Sequence, residues 1–213
     1  MKKPVIELLA TSLGKRDEEP NIRLAEQIVK KEDNGHVAEL MELLQHKKTD
    51  VRNDAIKVLY EIGERNSTMI SGYLKNFIAL LSHKDNRMQL GAMCALSAIS
   101  KSEPQLLAKH LTTIVEAMDR GTVITRDHGI YILCHISKLR KEHEHAIELL
   151  LEQVDKSPVN QLPMYAEKTA EVISFAYVPR LVRILEARSD VAEIPSKAKR
   201  VEKVIKQLQL RAK

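Results

Sequence analysis

The sequence predicts an all-α fold, a right-handed α-α superhelix (solenoid) of about five helical hairpins, and three observations predict it. The first is self-similarity at a period of 37 residues. Sliding LLQHKKTDVRNDAIKVLYEIGE, residues 43–64, by that step lands on LLSHKDNRMQLGAMCALSAISK, residues 80–101, without a gap. Further steps align Ala55 with Ala92, Gly129 and Ala166, Leu59 with Leu96, Leu133 and Ala170, and Ile62 with Ile99, Ile136 and Ile173. A period in the range of about 20–50 residues marks a stacked repeat array. The second observation is that apolar residues recur at three and four, as in Ala55, Val58, Leu59 and Ile62, with no strand-like alternation. The third is polar punctuation. HKKTD, SHKDN, DRGT and DKSPVNQLP divide the two helices of a unit, and ERNST, SKSEP and RKEHE divide one unit from the next.

One domain is expected to span residues 1–213. Residues 1–35 read as an N-terminal capping hairpin, with helices near Val5 to Leu13 and Ile22 to Lys31. Residues 36–176 form the regular repeats. Their first helices carry the stripe in which Val37, Leu74 and Leu111 align, as do Leu40, Phe77, Ile114 and Leu151. Residues 177–213 read as a C-terminal capping hairpin, Val178 to Ala187 and Ser196 to Leu210. End units must cover the exposed core of a stack, which suits a last helix that is charged on one side and carries Val201, Val204, Ile205 and Leu208 on the other.

With 44% hydrophobic and 30% charged residues, the chain has the composition of a soluble globular protein. A chain of this size buries about 70% of its surface on folding, so disulfides are not required. Cys94 and Cys134 form no CxxC pair and suit a reducing compartment, so a cytoplasmic location is expected. The opening MKKPVIELLATSLG is interrupted by Glu7 and followed by KRDEEP, and predicts neither a signal peptide nor a membrane segment. The sequence pI of about 9.1 has a local source. Residues 197–213 hold seven bases against Glu202, whereas the remaining 196 residues carry 27 bases and 28 acids. Basicity therefore describes a tail. Seven aromatic residues and no tryptophan leave few platforms for base stacking.

The segment DVRNDA, Asp50 to Ala55, resembles the signature that often opens the second helix of HEAT repeats. The resemblance covers residues 36–176, with departures: Arg52 is replaced by Gln89, matched by Arg126 and replaced by Pro163 at the equivalent positions. It implies that second helices line a concave side. It also brings in the HEAT-like DNA glycosylases, whose sites are expected to use groove aromatics and a carboxylate; only Tyr131, Tyr165 and Asp127 would stand in here.

RDHGIYILCHISK, residues 126–138, is the segment richest in reactive side chains, and it falls on a second helix. Stepping about 100° per residue from Gly129 turns His128, Tyr131, His135 and Lys138 away from the core and leaves Cys134 on its flank. His128 and His135 are seven apart, unlike the i, i+4 pair of a helical zinc site, and no metal site is expected. His143 and His145 diverge, while His46 and His83 repeat in equivalent turns and read as structural. Cys134 and His135 diverge by about 100° and make no nucleophile–base pair. No phosphate-binding glycine loop is present, so neither catalytic residues nor a cofactor are expected.

The remaining candidate is the groove surface. Lys57, Cys94, Tyr131 and Lys168 form one row, Glu61, Ala98, His135 and Val172 a second, and Glu64, Lys101, Lys138 and Phe175 a third. Mixed charge and apolar groups suit a protein or peptide partner better than a polyphosphate. Gly91, Cys94 and Ala98 would be a low floor beside the longer His128, Tyr131, His135 and Lys138, with tight helix packing as the competing reading of the small residues. The second function class is nucleic-acid binding through Lys199, Lys203 and Lys206.

Overall fold

Where the apolar stripe recurs at three and four the chain is helical, and no strand occurs among the described residues. The computed structural model describes residues 3–211. Its chain divides into two compact units between Gly129 and Ile130.

The first unit opens differently from expectation. In place of a helix over Val5 to Leu13 there is a short 3-10 turn, Val5–Leu8. The backbone N–H groups of Val5, Ala10 and Thr11 donate instead to the side chains of Glu39, Asn21 and Asp54, at 2.8, 3.0 and 2.8 Å. Gly14 then takes φ +66°, a left-handed conformation that ends the turn following Val5–Leu8. At Ala10 and Thr11 side-chain acceptors have replaced the carbonyls that a helix would have supplied.

Helix α1 (Glu19–Lys30) has Pro20 in its first turn, where a missing N–H is tolerated. Asp33 caps α2 (Asn34–Leu43), accepting from the His36 N–H at 3.2 Å. Next come α3 (Thr49–Arg65), α4 (Thr68–Ser71), α5 (Leu74–Leu80), α6 (Asn86–Ser102), α7 (Pro104–Leu107) and α8 (Leu111–Arg120). The short helices α4 and α7 begin at Thr68 and Pro104, the last residues of ERNST and SKSEP, which the sequence marks only as punctuation. Helix α9 (Val123–Ile136) gives its first half to this unit.

Each second helix packs on its own first helix, α2 on α3 and α5 on α6, while α1, α3 and α6 pack side by side. Leu59, Ile62, Leu96 and Ile99 are fully buried between them. The interhelix turns are held alike. His46 Nδ1 accepts from the Lys48 N–H at 3.2 Å and His83 Nδ1 from the Asp85 N–H at 3.0 Å. Arg52 donates to the His46 carbonyl at 2.8 Å, and Gln89 donates to the His83 carbonyl at 2.5 Å, so this departure from the repeat signature preserves the clamp. Asn21 links α1 to α3 through the Asp54 carboxylate at 2.7 Å. The repeat position of Asp54 is Gly91 in α6. A Cβ there would stand 2.4 Å from Ile56 Cγ1, so Gly91 lets α6 close onto α3.

In the second unit, α10 (His143–Asp155) packs on α11 (Leu162–Val172) and α12 (Val178–Ala187), and α13 (Pro195–Arg211) covers α11 and α12. Arg188 closes the end of α10, donating to the carbonyls of Asp155 and Ser157 at 2.9 and 2.8 Å while paired with Asp190 at 2.8 Å. Helix α13 buries Val201, Val204 and Leu208, with Ile205 half-buried. Lys213, one of the seven bases of the tail, lies outside the described residues.

Candidate partner-binding surface

The second helices of the first unit carry a charged network over an apolar recess. Lys57, on α3, is nearly buried, with its Nζ 2.9 Å from Glu61 and 3.1 Å from Glu18, and 4.8 Å from the centre of the Tyr60 ring. Burial alone would lower the Lys57 pKa, but its interactions with Tyr60, Glu61 and Glu18 outweigh burial and hold it above the ordinary lysine range. Burial likewise pushes Glu61 up, and Lys57 and Arg65 together draw it below the usual carboxylate range. Arg65 also reaches Glu26 on α1 at 3.1 Å. One row further along, Lys101 of α6 pairs with Glu64 of α3 at 2.5 Å. Charges at equivalent repeat positions are thus tied across neighbouring helices.

Beside this network lies a recess of about 320 Å³ between α3 and α6, with Ile56, Tyr60, Leu90 and Gly91 as its walls and Glu18, Lys57 and Arg87 at its edge. Glu18 joins the edge from the segment before α1, its carboxylate bridging Lys57 and Arg87. Sequence reasoning singled out Lys57 and Glu61 but not Glu18, Tyr60 or Arg87. A signal for one was present: Arg87 occupies the repeat position of Asp50, a reversal of charge.

The expected floor is corrected by the structure. Ala98 is 0% exposed, and Cys94 only 7%. Helix α6 is enclosed by α3, α4, α5 and α7, so a wheel with one buried face underestimates its burial. Ala98 lies against Gly63, where an added Cβ would come within 3.2 Å of the Ala98 Cβ. The small residues serve helix approach. Cys94 is moreover pushed up to about 12 by burial and Cys134, in the second unit, likewise to about 12, so both thiols stay protonated at neutral pH.

His128, still in the first unit, is half-buried, and burial holds its pKa below the ordinary histidine value. In the second unit Tyr131 and His135 are half-buried and Lys138 is exposed. Cys134 donates to the Lys168 carbonyl at 3.6 Å, and Lys168 pairs with Glu171 at 2.8 Å. No group of three or more His, Cys, Asp or Glu among the described residues is arranged to hold a metal ion.

The bases of α13 fall into two sets. Lys197 reaches the Asn160 side chain at 2.5 Å, Arg200 holds Glu167 through two bonds of 2.8 and 2.7 Å, and Arg211 donates to the Ala170 carbonyl at 2.7 Å. Lys199, Lys203 and Lys206 are exposed instead and form no ion pair among the described residues. No helix among the described residues is long and apolar enough to cross a membrane.

In the first unit the helix pairs α2–α3 and α5–α6, joined through α3 and α6, define a helical-repeat protein of the HEAT class. Residues 20–161 match the family model of the non-SMC mitotic condensation complex subunit 1, and the chain belongs to that family. In fold it is similar to computationally designed armadillo repeat proteins for modular peptide recognition, with a TM-score of 0.64 at 16% identity over 95% of this chain and 99% of that one. It is similar also to a designed armadillo repeat protein in complex with the peptide (KR)4, with a TM-score of 0.62 at 15% identity over 96% of this chain and 100% of that one. Against the karyopherin Kap121p bound to the extreme C-terminus of the protein phosphatase Cdc14p the TM-score is 0.62 at 16% identity, over 97% of this chain but 23% of that one. At such identities the likeness is one of fold. No curated protein matches the chain.

Proposed function

We propose that the chain is a non-enzymatic scaffold that binds a protein or peptide segment, and that in the first unit the segment lies across α3 and α6. The observation that carries this reading is the recess at Ile56, Tyr60 and Leu90, edged by a charged network held on two neighbouring helices. A rigid apolar seat with oriented charges at its edge is how interfaces place their few anchoring contacts. The complexes of the similar folds with a peptide and with the C-terminus of a protein support a role of this kind. A photo-crosslinking amino acid placed at Leu90, and as a control at the exposed Lys75 on α5, tests it in cells. Crosslinks to a partner from position 90 and not from 75 are expected. Equal yields at both positions would dismiss the surface.

A second reading keeps nucleic-acid binding through Lys199, Lys203 and Lys206, favoured by their exposure while three other bases of α13 are engaged with its neighbours. Reversing all three charges should remove any salt-sensitive binding of duplex or single-stranded nucleic acid. Retention by that variant excludes the stripe.

A further inference from the structure

Glu18 is the odd member of the charged network. It belongs to no repeat, yet its carboxylate spans two of them, with one oxygen 3.1 Å from Lys57 Nζ on α3 and the other on the Arg87 guanidinium of α6. It lines the recess together with Lys57 and Arg87. The Glu18 and Arg87 side chains are 44% and 52% exposed, and pairs so open to water contribute little. Lys57, at 10%, stays fixed by Glu61 whether or not Glu18 is present. The bridge is therefore weakly held while Lys57 beneath it remains in position.

We propose that Glu18 occupies, in the free protein, the anion half of a two-part site whose other half is the recess between α3 and α6. The ligand is an extended protein segment carrying an acidic residue beside an aliphatic one. Its carboxylate replaces Glu18 between Lys57 and Arg87, and its apolar neighbour enters against Ile56 and Leu90. This assignment rests on the partner-binding reading above and gives that partner its chemistry.

Size and charge set the class of ligand. The recess, at about 320 Å³, lies at the small end of the range of about 300–1,000 Å³ for ligand pockets, and suits a side chain better than a cofactor. One carboxylate exchanged for another keeps both Lys57 and Arg87 paired. A polyanion such as nucleic acid would add charge beside Glu26, Glu61 and Glu64, which share this surface. A basic segment would draw Glu18 away and leave Arg87 without its counter-ion.

The test is a random peptide display selection on the full chain, run in parallel on Glu18→Gln and Arg87→Glu, followed by fluorescence polarisation of the enriched peptide and of its Glu→Gln counterpart. Circular dichroism of each variant, with Arg87→Gln as the milder substitution, establishes that it is folded. The wild-type chain should enrich an acidic residue next to Leu, Ile or Met. Glu18→Gln should bind that peptide about two- to fivefold more tightly, as expected when a competitor held by an exposed pair is removed. Arg87→Gln should erase the difference between the acidic peptide and its amide counterpart, and Arg87→Glu should select peptides without the acid. Enriched peptides that crosslink at Leu90 but show no acid preference, or no response to Glu18→Gln, overturn this proposal and leave the scaffold reading standing. A selection that enriches nothing overturns both.

Discussion

Ala98→Glu separates packing from recognition on α6. The side chain is 0% exposed and lies against Gly63 of α3, where even an added methyl would approach within 3.2 Å. Glutamate adds four heavy atoms to a site with no room for one. Overpacking of this kind costs about 1–3 kcal/mol. Burying the new carboxylate without a partner adds several kcal/mol more, unless it takes up a proton or the helices part. A total loss above about 3 kcal/mol is expected, against no more than about 0.5 kcal/mol for Lys203→Glu on the exposed face of α13. Urea denaturation followed by far-ultraviolet circular dichroism measures both, with Ala98→Ser as a near-isosteric control. A loss under about 1 kcal/mol for Ala98→Glu would mean that this face of α6 is open and the packing account of its small residues is wrong.

Leu96→Ala, at a fully buried position of the same helix, should cost about 2–5 kcal/mol by the same measurement. Arg188→Ala should weaken the second unit and raise hydrogen exchange at the end of α10, because its guanidinium caps the Asp155 and Ser157 carbonyls; unchanged exchange there would remove the clamp from the account. His128 gives a pH dependence. Burial sets its native pKa below the unfolded value of about 6.5, with Glu64 and Asp127 opposing the shift and Lys101 adding to it. The unfolded chain then binds the proton first, so stability is full above about pH 6.5 and falls as pH drops through the native value. His128→Gln should flatten that part of the stability profile, and an unaltered slope would place the titration elsewhere.

The helices and their core were legible in the sequence because packing imposes the three-four spacing directly, as at Leu59, Leu96, Ile62 and Ile99. The burial of Val201, Val204 and Leu208 on α13 follows the helical spacing at which they recur in the sequence. Burial around α6 was not legible. A helical wheel has one buried face, and nothing in GAMCALSA states that α3, α4, α5 and α7 all meet that helix. The 3-10 turn at Val5–Leu8 escaped for a related reason, because the acceptors that displace a helix there lie on Asn21, Glu39 and Asp54, distant in sequence. Most of the candidate site depends on one such long-range pairing. Glu18 meets Arg87 across 69 positions of chain, and only the reversal from Asp50 to Arg87 within the repeat hinted that this position does something different.

Hydrogen exchange of the full chain, with and without a saturating display-selected peptide, tests the central claim most directly. The scaffold account predicts slowed exchange in residues 53–60 and 86–91, the segments of α3 and α6 that border the recess, with no change in residues 74–80 of α5. Protection confined to α5, or spread evenly over the first unit without favouring the recess, would contradict it.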